Sequence, residues 1–158
     1  MEAARGVYLF LRTTWVCSAG GSNFVLTILR LAGEKKELSV VVVQTGSPTW
    51  ARALAEATAE LLRRKELISR HSEVYHLAAS GHTSRYEFTK AIIDIMKEVS
   101  GIPNGWARVK PITSDQYPLP ARRPCYPVTN KDKVKNIFGV EMPRWEDQLR
   151  GFLETRST

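Results

Sequence analysis

Arg122 and Arg123 stand side by side in the run Tyr117-Pro118-Leu119-Pro120-Ala121-Arg122-Arg123-Pro124. Its three prolines predict a stiff, extended loop, because each fixes its own φ and pushes the preceding residue out of the helical region. A stiff loop presents the two guanidinium groups with little ordering entropy left to lose on binding. Each can donate two parallel hydrogen bonds, which suits a doubly charged phosphate better than a lysine does. On this run alone, a solvated connector is an equal alternative.

Other spacings carry less chemistry. Tyr86 and Lys90 form a Tyr-x-x-x-Lys pair that would share one helical face. A four-residue spacing is loose, and a helix-start aromatic with a solvated lysine is the favoured assignment. Gly20-Gly21-Ser22-Asn23 lies between a predicted strand and a predicted helix. It lacks the third glycine and the acidic residue about 20 positions on that a dinucleotide fingerprint needs. His71, His76 and His82 show no zinc spacing, and no carboxylate cluster suggests a metal. His76 is expected to pack in the core. Cys17 and Cys125 are far apart and read as reduced thiols.

The formal charge is +7, and residues 108–135 hold seven basic and two acidic residues. A patch that concentrated fits an anionic small ligand as well as a phosphate backbone. No zinc-finger spacing or basic heptad accompanies it, so nucleic acid is disfavoured. No stretch approaches the ~20 apolar residues of a membrane span. The N-terminus has no signal-peptide core, which predicts a cytoplasmic protein.

The elements that must position these residues alternate between strand and helix, which indicates an α/β fold. At 158 residues and 43% hydrophobic content the chain is sized for one domain with a real core. Residues 6–12 form an apolar run expected to be a strand buried on both faces, followed by a polar loop over 13–22. Asn23 is expected to cap a helix burying Phe24, Ile28 and Leu31 and ending at Gly33. Residues 38–43 are a second strand, and 44–49 a turn with Thr49 as an N-cap. A helix with Trp50, Leu54, Ala57 and Leu61 inward follows. Residues 74–78 form a third strand. Ser84 and Glu87 make a capping box for a helix burying Phe88, Ile92, Ile95 and Val99 and stopping at Gly101. Asn130 caps a short helix ending at Gly139. Pro143 starts the last one, with Trp145, Leu149 and Phe152 inward. Three or four such hydrophobic strands look like part of a larger sheet.

The order of several segments resembles the dTDP-4-dehydrorhamnose reductases, which are extended short-chain dehydrogenase/reductases. The segments are Arg12-Thr13-Thr14-Trp15-Val16, Asn23-Phe24, Gln44-Thr45-Gly46-Ser47-Pro48-Thr49, Tyr75-His76-Leu77-Ala78-Ala79-Ser80-Gly81, Pro118 to Pro124, Phe138-Gly139 and Pro143-Arg144-Trp145. The resemblance implies a partial Rossmann-like fold over residues 1–158, a single C-terminal substrate-binding domain lacking the N-terminal dinucleotide-binding half. It implies reduction of a dTDP-4-dehydro sugar by NADPH in the intact family, with this chain inactive alone and holding no cofactor tightly. A non-catalytic sugar-nucleotide-binding or partner module is the alternative.

By the same resemblance, Trp15, Asn23, Gln44, Thr49, Arg122 and Arg123 would meet a dTDP-sugar, and Thr13 and Thr14 the cofactor end. Tyr86 and Lys90 fall in a later, non-catalytic helix. Val43 stands where the family has aspartate, Pro127 where it usually has serine, and Cys17 where it often has tyrosine. Exposed strand edges are expected to invite self-association or a reductase-like partner.

Overall fold

The computed structural model describes residues 6–116 and 125–157, so the proline-rich run with Arg122 and Arg123 lies outside the described residues. The chain opens with β1 (Leu9–Arg12) and β2 (Val16–Cys17), followed by α1 (Phe24–Glu34). Next come β3 (Glu37–Val41), β4 (Thr45–Gly46), β5 (Thr49–Trp50), α2 (Ala51–Leu62) and α3 (Lys65–Arg70). Then β6 (Glu73–His76) and β7 (Thr83–Ser84) lead into α4 (Arg85–Ser100). The chain closes with β8 (Arg108–Ile112), α5 (Asp132–Phe138) and α6 (Trp145–Ser157). The strands form two-stranded pairs: β1 with β6, β2 with β5 and β3 with β8 run parallel, and β4 with β7 antiparallel.

Helix ends follow local chemistry. Asn23 caps α1 as its side-chain oxygen accepts the Leu26 amide at 3.2 Å. The buried face of α1 is Val25, Ile28 and Ala32, turned slightly from the expected one. Phe24 and Leu31 pack at its margin, and the helix runs past Gly33 to Glu34. Ser84 accepts the Glu87 amide at 3.1 Å to start α4. The Glu87 carboxylate pairs with Lys90 at 3.2 Å. Gly101, at a φ of 68°, ends α4 in the left-handed conformation that glycine adopts without a Cβ clash. Asn130 sits one residue before the α5 cap position, where its side-chain oxygen accepts the Asp132 amide at 2.7 Å.

Two cores result. The first packs α1, β3, α4 and α6 together through Val25, Ile28, Leu38, Phe88, Ile92, Leu149 and Phe152. Trp145, Leu149 and Phe152 are all buried as expected, whereas Ile95 is half-buried and Ile93 takes its inward place on α4. The second packs α2, α3, β6 and α5, with Tyr75 edge-on to Phe138 at 5.2 Å between ring centroids.

Several expectations are corrected. The first strand is not buried on both faces: Leu9 and Leu11 face the second core while Phe10 is 53% exposed. Period-2 burial arises because only one side of the β1–β6 ribbon is covered in this chain. Strand β8 lies inside the basic window and carries Pro111, which a ladder tolerates because β8 is an edge. The six-residue α3 has too few turns to show a helical period. Thr49 does not cap α2; Trp50 holds that position and makes no side-chain cap bond. His76 is half-buried, its Nδ1 3.3 Å from the Asn130 carbonyl.

Replacing Ser84 with alanine removes the side-chain acceptor at the start of the helix that spans both sides of the first core. The expected cost is about 1 kcal/mol of unfolding free energy in a urea titration, with the slope unchanged.

Candidate functional site

Where β1 ends, the chain turns at Trp15, whose φ of 45° lies in the left-handed region. For a tryptophan this conformation costs about 1–2 kcal/mol. Contacts from three segments hold it. The Trp15 carbonyl accepts the Thr49 amide at 3.2 Å. The indole lies against Gly46, where a Cβ would come within 2.4 Å of the ring, so only glycine fits there. The Arg85 guanidinium stacks over the indole, its Cζ 3.7 Å from the ring centroid and 4.4 Å from that of Phe24. Phe88 closes the cluster at 6.3 Å from Trp15 and 5.8 Å from Phe24.

The other expected residues gather around this corner with different duties. The Gln44 carbonyl accepts the Arg85 amide at 2.9 Å, which binds the 44–49 turn to the start of α4. Asn23 spends both ends of its amide locally, donating to the Ser18 carbonyl at 2.8 Å besides capping α1. Thr14 donates to the Ser47 carbonyl at 3.0 Å. The Thr13 hydroxyl is buried with no partner among the described residues. Thr49 is completely buried; its hydroxyl donates to the Ser47 carbonyl at 3.1 Å and accepts the Ala79 amide at 3.1 Å. It therefore supports the corner from beneath and touches no surface.

Arg122 and Arg123 lie outside the described residues, but the chain on either side of them is tied to the same turn. The Val42 amide donates to the Ile112 carbonyl at 3.1 Å and the Thr45 amide to the Cys125 carbonyl at 2.9 Å. Arg85 is the residue that sequence reasoning missed. Its position at the start of a capped helix carries no functional signal, and only folding brings it over Trp15.

A separate cleft of about 90 Å³ lies between β6 and α5, lined by Leu77, Lys131, Val140 and Met142 among others. That is far below the ~300 Å³ at which ligand pockets begin. Burial lowers the Lys131 pKa, and its ammonium donates to the Ala79 carbonyl at 3.2 Å. On α4, Lys90 is held 3.2 Å from Glu87, whose hydrogen bond raises its pKa, and lies 5.5 Å from the Tyr86 ring centroid. The Lys90 ammonium is thus committed to Glu87 on its own helix. Among the described residues no group of His, Cys, Asp and Glu could hold a metal ion, and no helix is long and apolar enough to cross a membrane.

The profile of the RmlD substrate binding domain family matches residues 1–157. This chain belongs to that family. A dTDP-4-dehydrorhamnose reductase of Burkholderia thailandensis is 42% identical over 145 residues, covering 89% of this chain and 49% of the relative. The Escherichia coli K12 protein of the same name is 36% identical, covering 92% of this chain and 48% of its own length. Among solved structures, a dTDP-4-dehydrorhamnose reductase from Clostridium acetobutylicum superposes with a TM-score of 0.81 at 28% identity, covering 96% of this chain and 49% of that one. The Bacillus anthracis reductase, solved in complex with NADP, gives 0.78 at 30% identity, covering 92% of this chain and 47% of that one. The α/β architecture is thus part of the Rossmann-like fold of extended short-chain reductases. The chain spans about half the length of the relatives it matches.

Thr49→Val keeps the shape of this RmlD-type corner but leaves the Ala79 amide without its acceptor. Its cost should reach about 1–3 kcal/mol in chemical denaturation. The two free thiols also separate cleanly. Burial pushes Cys17 from 9.0 to about 11, while Cys125 is exposed. A thiol reagent at pH 8 should label one cysteine at once and the second only on unfolding. Because the folded pKa is raised, the Cys17 contribution to stability is full below about pH 9 and is lost as pH rises toward 11.

Proposed function

We propose that this chain forms the sugar-nucleotide-binding part of a dTDP-4-dehydrorhamnose reductase, acting in dTDP-L-rhamnose synthesis. One observation carries the reading: residues from four separate family-matched segments meet at one corner, where Trp15 is held in a strained conformation. A backbone held against its own preference points to a site more than to a packing need. Trp15 offers the amphipathic ring that a deoxysugar, apolar on one side, can meet. Arg122 and Arg123 of the proline-rich run, named by their type and sequence context, would supply donors for the diphosphate.

The hydride donor expected of the family, NADPH, delivers hydride to the sugar C4 when bound. The residues present fit its reactive end in one respect: the Thr13 hydroxyl is a buried polar group awaiting a partner. Thr14, already committed to the Ser47 carbonyl, would hold the loop that carries it. The Gly20-Gly21 turn lacks the third glycine and the following acidic residue of a dinucleotide fingerprint, so it offers the pyrophosphate no comparable cradle. This chain's own work is to bind and orient the sugar nucleotide and keep the C4 face dry.

Titration calorimetry of the 158-residue chain with dTDP and dTDP-rhamnose tests this. Binding of both is expected, weakened about tenfold or more in Arg122→Ala and in Arg123→Ala. No heat, or an unchanged affinity in both variants, removes the phosphate role. With NADPH and the 4-dehydro sugar the chain alone should show no oxidation above background. A clear rate would show that proton donor and hydride site are both complete within it.

A partner role is favoured by a second observation. Phe10 and Val74 are register neighbours on the outward face of the β1–β6 ribbon, 53% and 38% exposed, with Tyr8 also exposed nearby. We infer that this face packs on a reductase-like half or on a second copy. Sedimentation of the chain alone tests the second copy: it should show an associated species that Phe10→Lys shifts toward monomer, and a monomer in both proteins would reject self-association.

A further inference from the structure

We propose that Arg85 is a positioning and specificity-determining residue for the sugar end of the pocket. Its guanidinium, layered on the Trp15 indole and the Phe24 ring, fixes the wall that a bound sugar meets. The assignment rests on the sugar-nucleotide reading of this corner.

Arg85 occupies the first position of α4, where the positive end of the helix disfavours a cation. Two aromatic faces hold it there, 3.7 and 4.4 Å from its Cζ. Ring quadrupoles attract a cation placed over them, and a planar guanidinium lies flat where an ammonium cannot. Its backbone is equally fixed. The Arg85 amide donates to the Gln44 carbonyl at 2.9 Å, and Ser84 pairs with Thr45 in the β4–β7 ladder.

Gly46 of that ladder and Arg85, which follows Ser84 of the ladder at the start of α4, therefore act on one indole. Gly46 supplies a surface with no room for a Cβ, and Arg85 supplies a charged plate. Trp15 needs such a clamp, because its left-handed backbone would relax if the ring were free. A cation against the indole also sets selectivity. The wall favours ligands that present oxygen acceptors beside an apolar patch, as a keto- or hydroxy-deoxysugar does, over a purely apolar group.

Calorimetry on the full chain, read as the ratio of Kd for dTDP to Kd for dTDP-rhamnose, isolates the sugar's share of binding. In Arg85→Ala and in the planar, uncharged Arg85→Gln this ratio should fall about 2–5-fold, with dTDP affinity unchanged. Arg85→Lys should fall between. Gly46→Ala, which displaces the indole while keeping Arg85, should reproduce the loss. The Trp15 indole N–H resonance, assigned by its absence in Trp15→Phe, should shift in Arg85→Ala while the rest of the spectrum is retained. An unchanged ratio overturns the specificity role, and an unchanged resonance overturns the positioning role. If the wild-type chain binds neither ligand, the sugar-nucleotide reading and the specificity role fall together, and the resonance still decides positioning.

Discussion

Thr49 and Trp50 hold this structure together. The Thr49 amide donates to the Trp15 carbonyl, its hydroxyl bridges Ser47 and Ala79, and its carbonyl accepts the Cys17 thiol at 3.6 Å. The Trp50 amide donates to the Gln148 side chain of α6 at 2.9 Å, and that side chain also reaches the Pro143 carbonyl. Two residues thus tie four stretches of chain that are distant in sequence. None of these bonds competes with water, because Thr49, Ser47 and Gln148 are all buried. A buried network of this kind stabilises when every member is satisfied and penalises any missing partner heavily. It also fixes where the Trp15 loop leaves β1, so the site inherits its geometry from the core.

The basic surplus has a different fate from its appearance in the sequence. Residues 108–135 read as one positive stretch, yet folding divides them. Arg108 and Lys110 ride on β8 beside β3. Lys133 and Lys135, both on α5, pair respectively with Glu73 and, at 2.7 Å, with Glu141. Lys131 turns inward to the Ala79 carbonyl. Among the described residues, that charge density becomes a pair of sheet-edge cations, two ion-paired lysines and one lysine bound to a carbonyl. Exposed pairs of this type contribute little to stability, so their effect is to lower the field that a polyanion would feel.

Most helix positions were legible because they depend on neighbours three or four residues away, whereas the short α3, the end of α1 past Gly33 and the Trp50 cap of α2 were not. Asn23, Ser84, Gly101 and Gly139 act within one turn of themselves, and the inward trio Trp145, Leu149 and Phe152 follows the helical period. Strand partners were not legible. Residues 108–112 carry a proline and alternate with basic side chains, which hides a strand whose existence depends on β3 lying beside it. The site divides along the same line. Family-type segments pointed to Trp15, Asn23 and Gln44 in one corner. No local pattern could show that Thr49 would be sealed beneath it, or that Arg85 would cross from another helix to cover the indole.

The β1–β6 ribbon links the site to the open side of the molecule. Parallel pairs normally have both faces covered, and here the second core covers one face while Phe10 and Val74 lie on the other. The strand that carries Phe10 runs directly into the Trp15 turn, since Arg12, its last residue, pairs with His76 and is followed by the Leu77 amide bonding back to the Arg12 carbonyl at 2.8 Å. In α/β sheets ligands collect beyond the carboxyl ends of strands, which is where Trp15 stands. One strand thus carries both the uncovered apolar face and the start of the Trp15 turn.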